Sequence, residues 1–489
     1  MKKIDKQKIE EMSLSVDKTI RQAMEVIGKG EIGAAFIVDA KTRRFVGLLT
    51  DGDIRRAILN GASLEALIAT VQRPSTKTAT VEMKPEDIAK MFSDKIRVVP
   101  VLDVDGKIAD IALYDSRIRL PVAQPLLAEK ELEYVTDCIV TNWISSTGKY
   151  VTQFEELFAK YCSCKYAVAT SNGTTALHLA LVALGIGPGD EVIVPSLSFI
   201  ATANAVTYTG AKPVFVDSQA STWNIDPLLI EKAITSKTKA IIPVHLYGHP
   251  ADMDPILKIA RTHNLAVIED AAEAHGAEYK DKKVGSLGEM GVFSFYGNKI
   301  ITTGEGGMIV TNNPELAQQL KLFRDHGMSL SRRYWHSVLG YNYRLTNIQA
   351  AIGVAQVERI ESILQAKITI SRRYEEQLKG IKGIVCPPQA SWAKNVYWLY
   401  SILVEKEFGM SRDELMNELS LMQIETRPFF PPIHTQPIYN TGQQLGICQA
   451  LAAKGISLPS SASLQIHEVD RVCAAIKEIH LRVNNKAHA

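Results

Sequence analysis

Along residues 19 to 59 the spacing of apolar positions changes as the chain advances. TIRQAMEVIGKG repeats them at helical intervals, AAFIVD is a continuous run, FVGLLT is a second run after a turn, and from Gly52 the helical period returns. A weaker copy follows: MKPEDIAKMF reads as helix, RVVPVLD and IADIAL as strands, with a turn at Asp105 and Gly106 between them. Two similar units of about 60 residues are therefore expected, each covering a surface of the other.

Pro121 and Pro125 interrupt the connector RIRLPVAQPLLAEKE and mark a boundary. Beyond it YAVATS, EVIVPSLSF, KPVFVD, KAIIPVHLYG, LAVIEDAAEA, GVFSFYG and GGMIVTNN alternate with helical stretches. Such runs are almost wholly apolar, the signature of a sheet buried on both faces. A mostly parallel α/β core is thus predicted over roughly 160 to 320. The long helical segment that opens with NIQAAIGVAQVERIESILQ then leads into a smaller mixed unit. The expected organisation is 1–120, then 121–365 as a large domain with its own N-terminal segment, then 366–489 as a small C-terminal domain.

Composition narrows the partners. A chain of 489 residues, 46% hydrophobic and 22% charged, is too long for one core. Lys+Arg 55 against Asp+Glu 53 leaves a formal charge of +2, which gives no overall reason to expect nucleic acid or an anionic membrane. The six cysteines do not form paired metal-ligand spacings; Cys162 and Cys164 make a C-x-C without a second pair, so no metal is expected. The start MKKIDKQKIEEMSL lacks the apolar stretch of a signal peptide, and no run approaches the ~20 residues needed to cross a bilayer. A reducing, cytoplasmic location is expected.

In open α/β sheets ligands collect at the carboxyl ends of the strands. After YAVAT comes Ser171-Asn172-Gly173-Thr174-Thr175, opening a helix whose first amides and dipole favour a phosphate, although the same residues also serve as ordinary caps. AVIED ends on Glu269 and Asp270, and a carboxylate leaving a buried strand needs a cationic or proton-sharing partner. GVFSFYGNK supplies Ser294 and, five residues on, Lys299; a buried lysine has a lowered pKa and a nucleophilic amine. An aldehyde wants the lysine, a pyridinium nitrogen the carboxylate, and a phosphate the amides and hydroxyls. Together they describe a site for pyridoxal 5'-phosphate.

From about residue 121 the chain resembles the DegT/DnrJ/StrS group of nucleotide-sugar aminotransferases. The matching segments are SNGTTALHLAL, VIVPSLSFIATANAV, VDSQASTWNID, VHLYGHPADMD, IEDAAEAHGA, SFYGNKIITTGEGGM and GYNYRLTNIQAAIG, in order. The resemblance implies the type I aminotransferase fold, with helices on both faces of the sheet and a smaller α+β domain. It makes Lys299 the lysine that bonds the aldehyde and shuttles protons, and Asp270 the partner of the ring nitrogen. Ser294 and the amides of Gly173 and Thr174 become the phosphate binders, Phe199 the aromatic stacked on the ring, and Glu273 the neighbour of the ring's phenolic oxygen. Asn342 matches a residue that reaches the cofactor of a neighbouring subunit, which implies a homodimer with shared active sites. The usual amino donor is L-glutamate. A subset of the group with histidine in place of the lysine removes a hydroxyl instead; Lys299 disfavours that reading.

Within the group, IETRPFFPPIHTQPIY, VHLYGHPADMD and SFYGNKIITTGEGGM look most like the perosamine synthases, which aminate C4 of GDP-4-keto-6-deoxymannose for surface polysaccharide. Arg427 and His434 are the expected substrate contacts, and a UDP-linked 4-keto-6-deoxy sugar is the rival substrate. Residues 1 to 120 resemble a CBS-domain pair, on the run GLLTDGD. The resemblance implies a regulatory nucleotide at Thr50 and Asp53, or else a structural cap in which Thr50 starts a helix and Asp53 favours its positive end. In the second copy the aligned positions are Ala109, Ala112 and Asp115, without the glycine and threonine. A third reading is a nucleotide sensor with a vestigial enzyme half.

Overall fold

The computed structural model describes residues 6–29, 32–71, 76–83, 87–88, 91–92, 96–113, 120–329, 331–440 and 442–486. The chain forms two compact units, Met1–Arg119 with Leu421–Gln423, and Leu120–Ser420 with Ile424–Ala489.

In the N-terminal unit one strand pattern occurs twice. Ser13–Ser15 runs parallel to Ala34–Val38, which pairs antiparallel with Phe45–Thr50. Ala79–Thr80 runs parallel to Val98–Leu102, which pairs antiparallel with Ile108–Leu113. The repeat read from the sequence is thus a repeat of connectivity. Ala34 and Phe36 of the first copy share an apolar cluster with Val98 and Ile111 of the second, so each sheet helps bury the other.

Thr50 ends its strand and caps the helix Asp51–Leu59. Its Oγ1 accepts from the Asp53 amide at 3.3 Å, and Asp53 Oδ2 accepts from the Thr50 amide at 2.9 Å and hydroxyl at 2.7 Å. Arg56 pairs with the other Asp53 oxygen. Both residues singled out for a nucleotide are engaged in starting the helix. Asp115 lies outside the described residues.

The second unit is built on a seven-stranded sheet in the order Tyr166–Thr170, Gly307–Thr311, Met290–Ser294, Ala266–Asp270, Thr238–Ile241, Glu191–Pro195, Lys212–Val216. Gly307–Thr311 is antiparallel to both neighbours, and the remaining pairings are parallel. The strands Glu191–Pro195, Ala266–Asp270 and Met290–Ser294 are buried along their whole length except at Ala266, as their continuous apolar runs require. Phe154, Phe158, Phe293 and Phe295 interlock between sheet and helices with ring centroids 4.9–6.1 Å apart. Burying each of these rings contributes roughly 2–3 kcal/mol.

The helix Ile360–Leu378 is continuous across the boundary expected at 365/366. It leads to a four-stranded antiparallel sheet ordered Ile384–Val385, Tyr400–Val404, Gly455–Leu458, Arg427–Pro428. Among the described residues no helix is long and apolar enough to cross a membrane, and no cluster of side chains is suited to a metal ion.

Candidate active site

Successive strands of the large sheet release their chains at one edge, and a cavity of about 620 Å³ lies there. Gly173, Thr174, Phe199, Asp270, Glu273, Ser294, Lys299 and Arg427 all line it. Eight residues singled out in the sequence thus line one cavity.

The pleat of Ala266–Asp270 sorts its two terminal carboxylates onto opposite faces. Glu269 points away from the cavity and accepts from the amides of Gly285, Leu287 and Gly288 at 2.7–2.8 Å. It also meets His245 Nε2 at 3.1 Å; the Ala251 amide donates to His245 Nδ1, which leaves Nε2 as the donor to Glu269. Glu269 is a structural anchor. Asp270 faces the cavity, and Thr202 Oγ1 donates to its Oδ2 at 2.8 Å. Burial raises the Asp270 pKa, while the Thr202 hydrogen bond and the Lys299 charge oppose that rise.

Lys299 follows the strand Met290–Ser294 and is held at its backbone by a hydrogen bond to Tyr296 O of 2.9 Å. Its Nζ lies 3.8 Å from Glu273 Oε1 and 4.0 Å from the centre of the Trp398 ring. Burial lowers the Lys299 pKa, and Glu273 and Asp270 pull it back up. Burial also raises Glu273, to about 7. A largely buried amine of lowered pKa beside an acid of raised pKa is suited to nucleophilic attack and to proton transfer.

Spacing gave no sign of Trp398, Tyr247 or Thr202. The Trp398 indole N–H donates to Asn298 O at 2.7 Å, which locks the ring over Lys299. Tyr247 adopts φ 52, rare for a non-glycine residue, and in that conformation its amide donates to Glu273 Oε2 at 2.8 Å. Thr202 lies inside SLSFIATANA, a segment already singled out, so a polar position inside its apolar stretch was the available signal.

Two expected residues lie elsewhere. The short turn Ile433–Thr435 directs His434 under the strand Glu191–Pro195, where it is 1% exposed and hydrogen-bonded through Nδ1 to Ser196 Oγ at 2.6 Å. His434 is therefore a buried structural residue and does not line the cavity. Asn342 is exposed, pairs through its backbone with Asp325 and is absent from this cavity's wall. Arg427 does line the wall, with Glu425 3.9 Å away. Phe199 is 55% exposed there, its ring 5.8 Å from that of Phe430.

The cavity fits pyridoxal 5'-phosphate. Asn172 caps the helix Gly173–Ala183 and takes the Thr175 amide, so the Gly173 and Thr174 amides open the helix without intrahelical acceptors. A Cβ at position 173 would meet the Ser294 Cβ at 2.8 Å; glycine keeps this end open enough for an anion to approach. The anion cradle, Asp270 and Lys299 line one cavity, which brings together the groups that the phosphate, ring nitrogen and aldehyde call for.

Comparison with known proteins agrees with this geometry. A GDP-perosamine synthase of Caulobacter vibrioides is 51% identical over 364 residues, covering 74% of this chain and 98% of that protein. One from Escherichia coli O157:H7 is 48% identical over 362 residues, with the same coverages. The PLP form of a sugar aminotransferase, Spr1654 of Streptococcus pneumoniae, superposes with a TM-score of 0.70 at 30% identity, covering 75% of this chain and 99% of that one. A CBS domain model matches residues 8–60, the first of the two N-terminal copies. The model of the DegT/DnrJ/EryC1/StrS aminotransferase family matches residues 125–477, and the chain belongs to that family of pyridoxal-phosphate-dependent sugar aminotransferases.

Proposed function

We propose that the protein transfers the amino group of L-glutamate to C4 of GDP-4-keto-6-deoxymannose, giving 2-oxoglutarate and GDP-perosamine for surface polysaccharide. The observation that carries this reading is the identity of about half to relatives named GDP-perosamine synthase over nearly their whole length.

When bound, pyridoxal phosphate supplies an aldehyde that carries the amino group and a ring that accepts an electron pair. The chain's own groups do the rest. Lys299 Nζ takes the proton from the donor's α-carbon and later delivers one to C4 of the sugar. Asp270, held by Thr202, would pair with the protonated ring nitrogen. Gly173, Thr174 and Ser294 would bind the phosphate and Phe199 would stack on the ring, while Trp398 covers the amine. Glu273 holds Lys299 in place and sets the charge around it. Arg427 is the candidate contact to the nucleotide-sugar diphosphate.

In the full reading the enzyme is a cytoplasmic homodimer in which Asn342 completes the partner's site. The N-terminal unit is the candidate for a regulatory nucleotide, whose binding at Thr50 and Asp53 would have to open the capping box. Calorimetry with adenine, guanine and cytidine nucleotides tests that point, and absence of heat with all of them contradicts it. The substrate is tested by incubating the enzyme with glutamate and either GDP-4-keto-6-deoxymannose or a UDP-linked 4-keto-6-deoxy sugar, with mass spectrometry of the products. Amination of the GDP sugar is expected; turnover confined to the UDP sugar contradicts the assignment.

A further inference from the structure

A buried lysine outside every motif lies behind the cavity wall. Lys367, on the helix Ile360–Leu378, is 5% exposed, and its Nζ donates to Ser460 O at 2.6 Å and Trp398 O at 3.1 Å. Burial alone pushes it down to about 7, with no carboxylate acting on it. An apolar side chain would pack there without the cost of removing an amine from water, so the position calls for something that only a donor supplies. What it supplies is a clamp on two backbone carbonyls.

Both carbonyls belong to the cavity's supports. Trp398 and Leu399 line the wall, and Ser460 follows the strand Gly455–Leu458, whose Ser457 also lines it. Trp398 is therefore fixed at two ends: its carbonyl by Lys367, and its indole N–H by Asn298 O, one residue before Lys299. Between those anchors its ring face covers Lys299 Nζ.

Other titratable groups around Lys367 are already engaged. Tyr374, on the same helix, donates to Pro459 O, and Tyr400 reaches Glu375; burial raises both phenols, so neither is charged near neutral pH. On the packed helix Ile466–Lys486, Asp470 is bound by Arg373 and Lys477 by Gln377, while burial pushes Cys473 up to about 12.

We propose that Lys367 is a positioning residue for the reaction: by pinning the Trp398 backbone it holds the indole over Lys299 and keeps that amine dry. The inference rests on Lys299 being the cofactor lysine, so its primary readout is independent of turnover. In the full-length chain freed of cofactor, arylation of Lys299 by fluorodinitrobenzene is followed by peptide mass spectrometry from pH 6 to 10. Its midpoint reports the pKa of the amine.

Lys367→Met should raise that midpoint by about one pH unit, a tenfold change in the free-amine fraction on the steep part of the curve. Trp398→Phe should shift it in the same direction, and the double variant should shift it no further than Trp398→Phe alone, because one residue acts through the other. Lys367→Gln, with a shorter neutral donor, serves if the Met variant does not fold, and an intermediate shift is expected. In the holoenzyme the Met variant should lose kcat about tenfold with KM for the sugar unchanged. An unaltered Lys299 midpoint in folded Lys367 variants, or additive shifts in the double variant, overturns the proposal. A loss of turnover without those midpoint results would implicate general stability instead.

Discussion

Lys299 Nζ lies 3.8 Å from Glu273 Oε1, the two side chains being 12% and 5% exposed. Burial pulls the amine's pKa down and pushes the acid's up to about 7, which narrows the difference in proton affinity between the two groups. Because Glu273 raises the Lys299 pKa, Glu273→Gln should lower it. Two charges ~4 Å apart interact by roughly 4 kcal/mol at an effective dielectric of about 20, so a fall of at least about one unit is expected after relaxation. Titration of Lys299 arylation in the cofactor-free chain checks this; a midpoint that stays or rises contradicts the pairing.

On the proposed reading Asp270 balances the charge of the cofactor's ring nitrogen. Asp270→Asn should keep the fold and lower kcat by about 10³, the rate equivalent of losing roughly 4 kcal/mol of ion pairing. Thr202→Val removes one hydrogen bond to the carboxylate and should cost about tenfold, near the 1.5–3 kcal/mol range of charge-assisted bonds. Steady-state kinetics on both variants would expose a wrong assignment if Thr202→Val proved the more damaging.

The phosphate cradle makes a steric prediction. Alanine at position 173 would press on Ser294, 2.8 Å from the added Cβ, so Gly173→Ala should weaken cofactor binding by at least about tenfold. Equilibrium dialysis against pyridoxal phosphate measures it. Unchanged affinity would place the phosphate elsewhere.

These sites differ in how far the sequence revealed them. Lys299, Asp270 and Ser294 could be read because each leaves a buried apolar run at its carboxyl end, where an ionisable group needs a reason. Glu269 and Asp270 are neighbours, and the run itself does not say which faces the cavity; that depends on the pleat and on the Gly285–Gly288 amides that capture Glu269. Trp398 and Lys367 were hidden because their roles arise where the small sheet meets a long helix, a contact between segments distant in sequence. His434 misled because a histidine near an arginine in a proline-rich segment looks like a ligand contact, whereas a one-turn helix directs it inward. In the N-terminal unit the motif was legible, but the side chains it names complete a capping box.

Site sharing can be tested without a structure of the assembly. Lys299→Ala and Asn342→Ala should each be nearly inactive alone. Mixed after partial unfolding and refolding, they should recover activity, because each hybrid dimer would contain one site with both native residues. A mixture that stays at the level of its components would argue that Asn342 serves its own subunit or none.

Lys367 imposes a pH dependence on stability. Its amine titrates near 10.5 when unfolded and about 7 when folded, so between those values the unfolded chain holds the extra proton and stability rises with pH. The full penalty of the buried charge is present below about 7. Lys367→Met lacks this contribution, so its thermal midpoint relative to the unaltered protein should be most favourable at pH 6.5 and decline toward pH 9.5. A difference independent of pH would contradict a low folded pKa.

The most direct test of the whole account is borohydride reduction of the protein loaded with pyridoxal phosphate, followed by peptide mass spectrometry. The account predicts a single pyridoxyl adduct on Lys299, loss of the visible absorbance, and no adduct in Lys299→Ala. An adduct on another lysine, Lys367 included, or none at all, would contradict it.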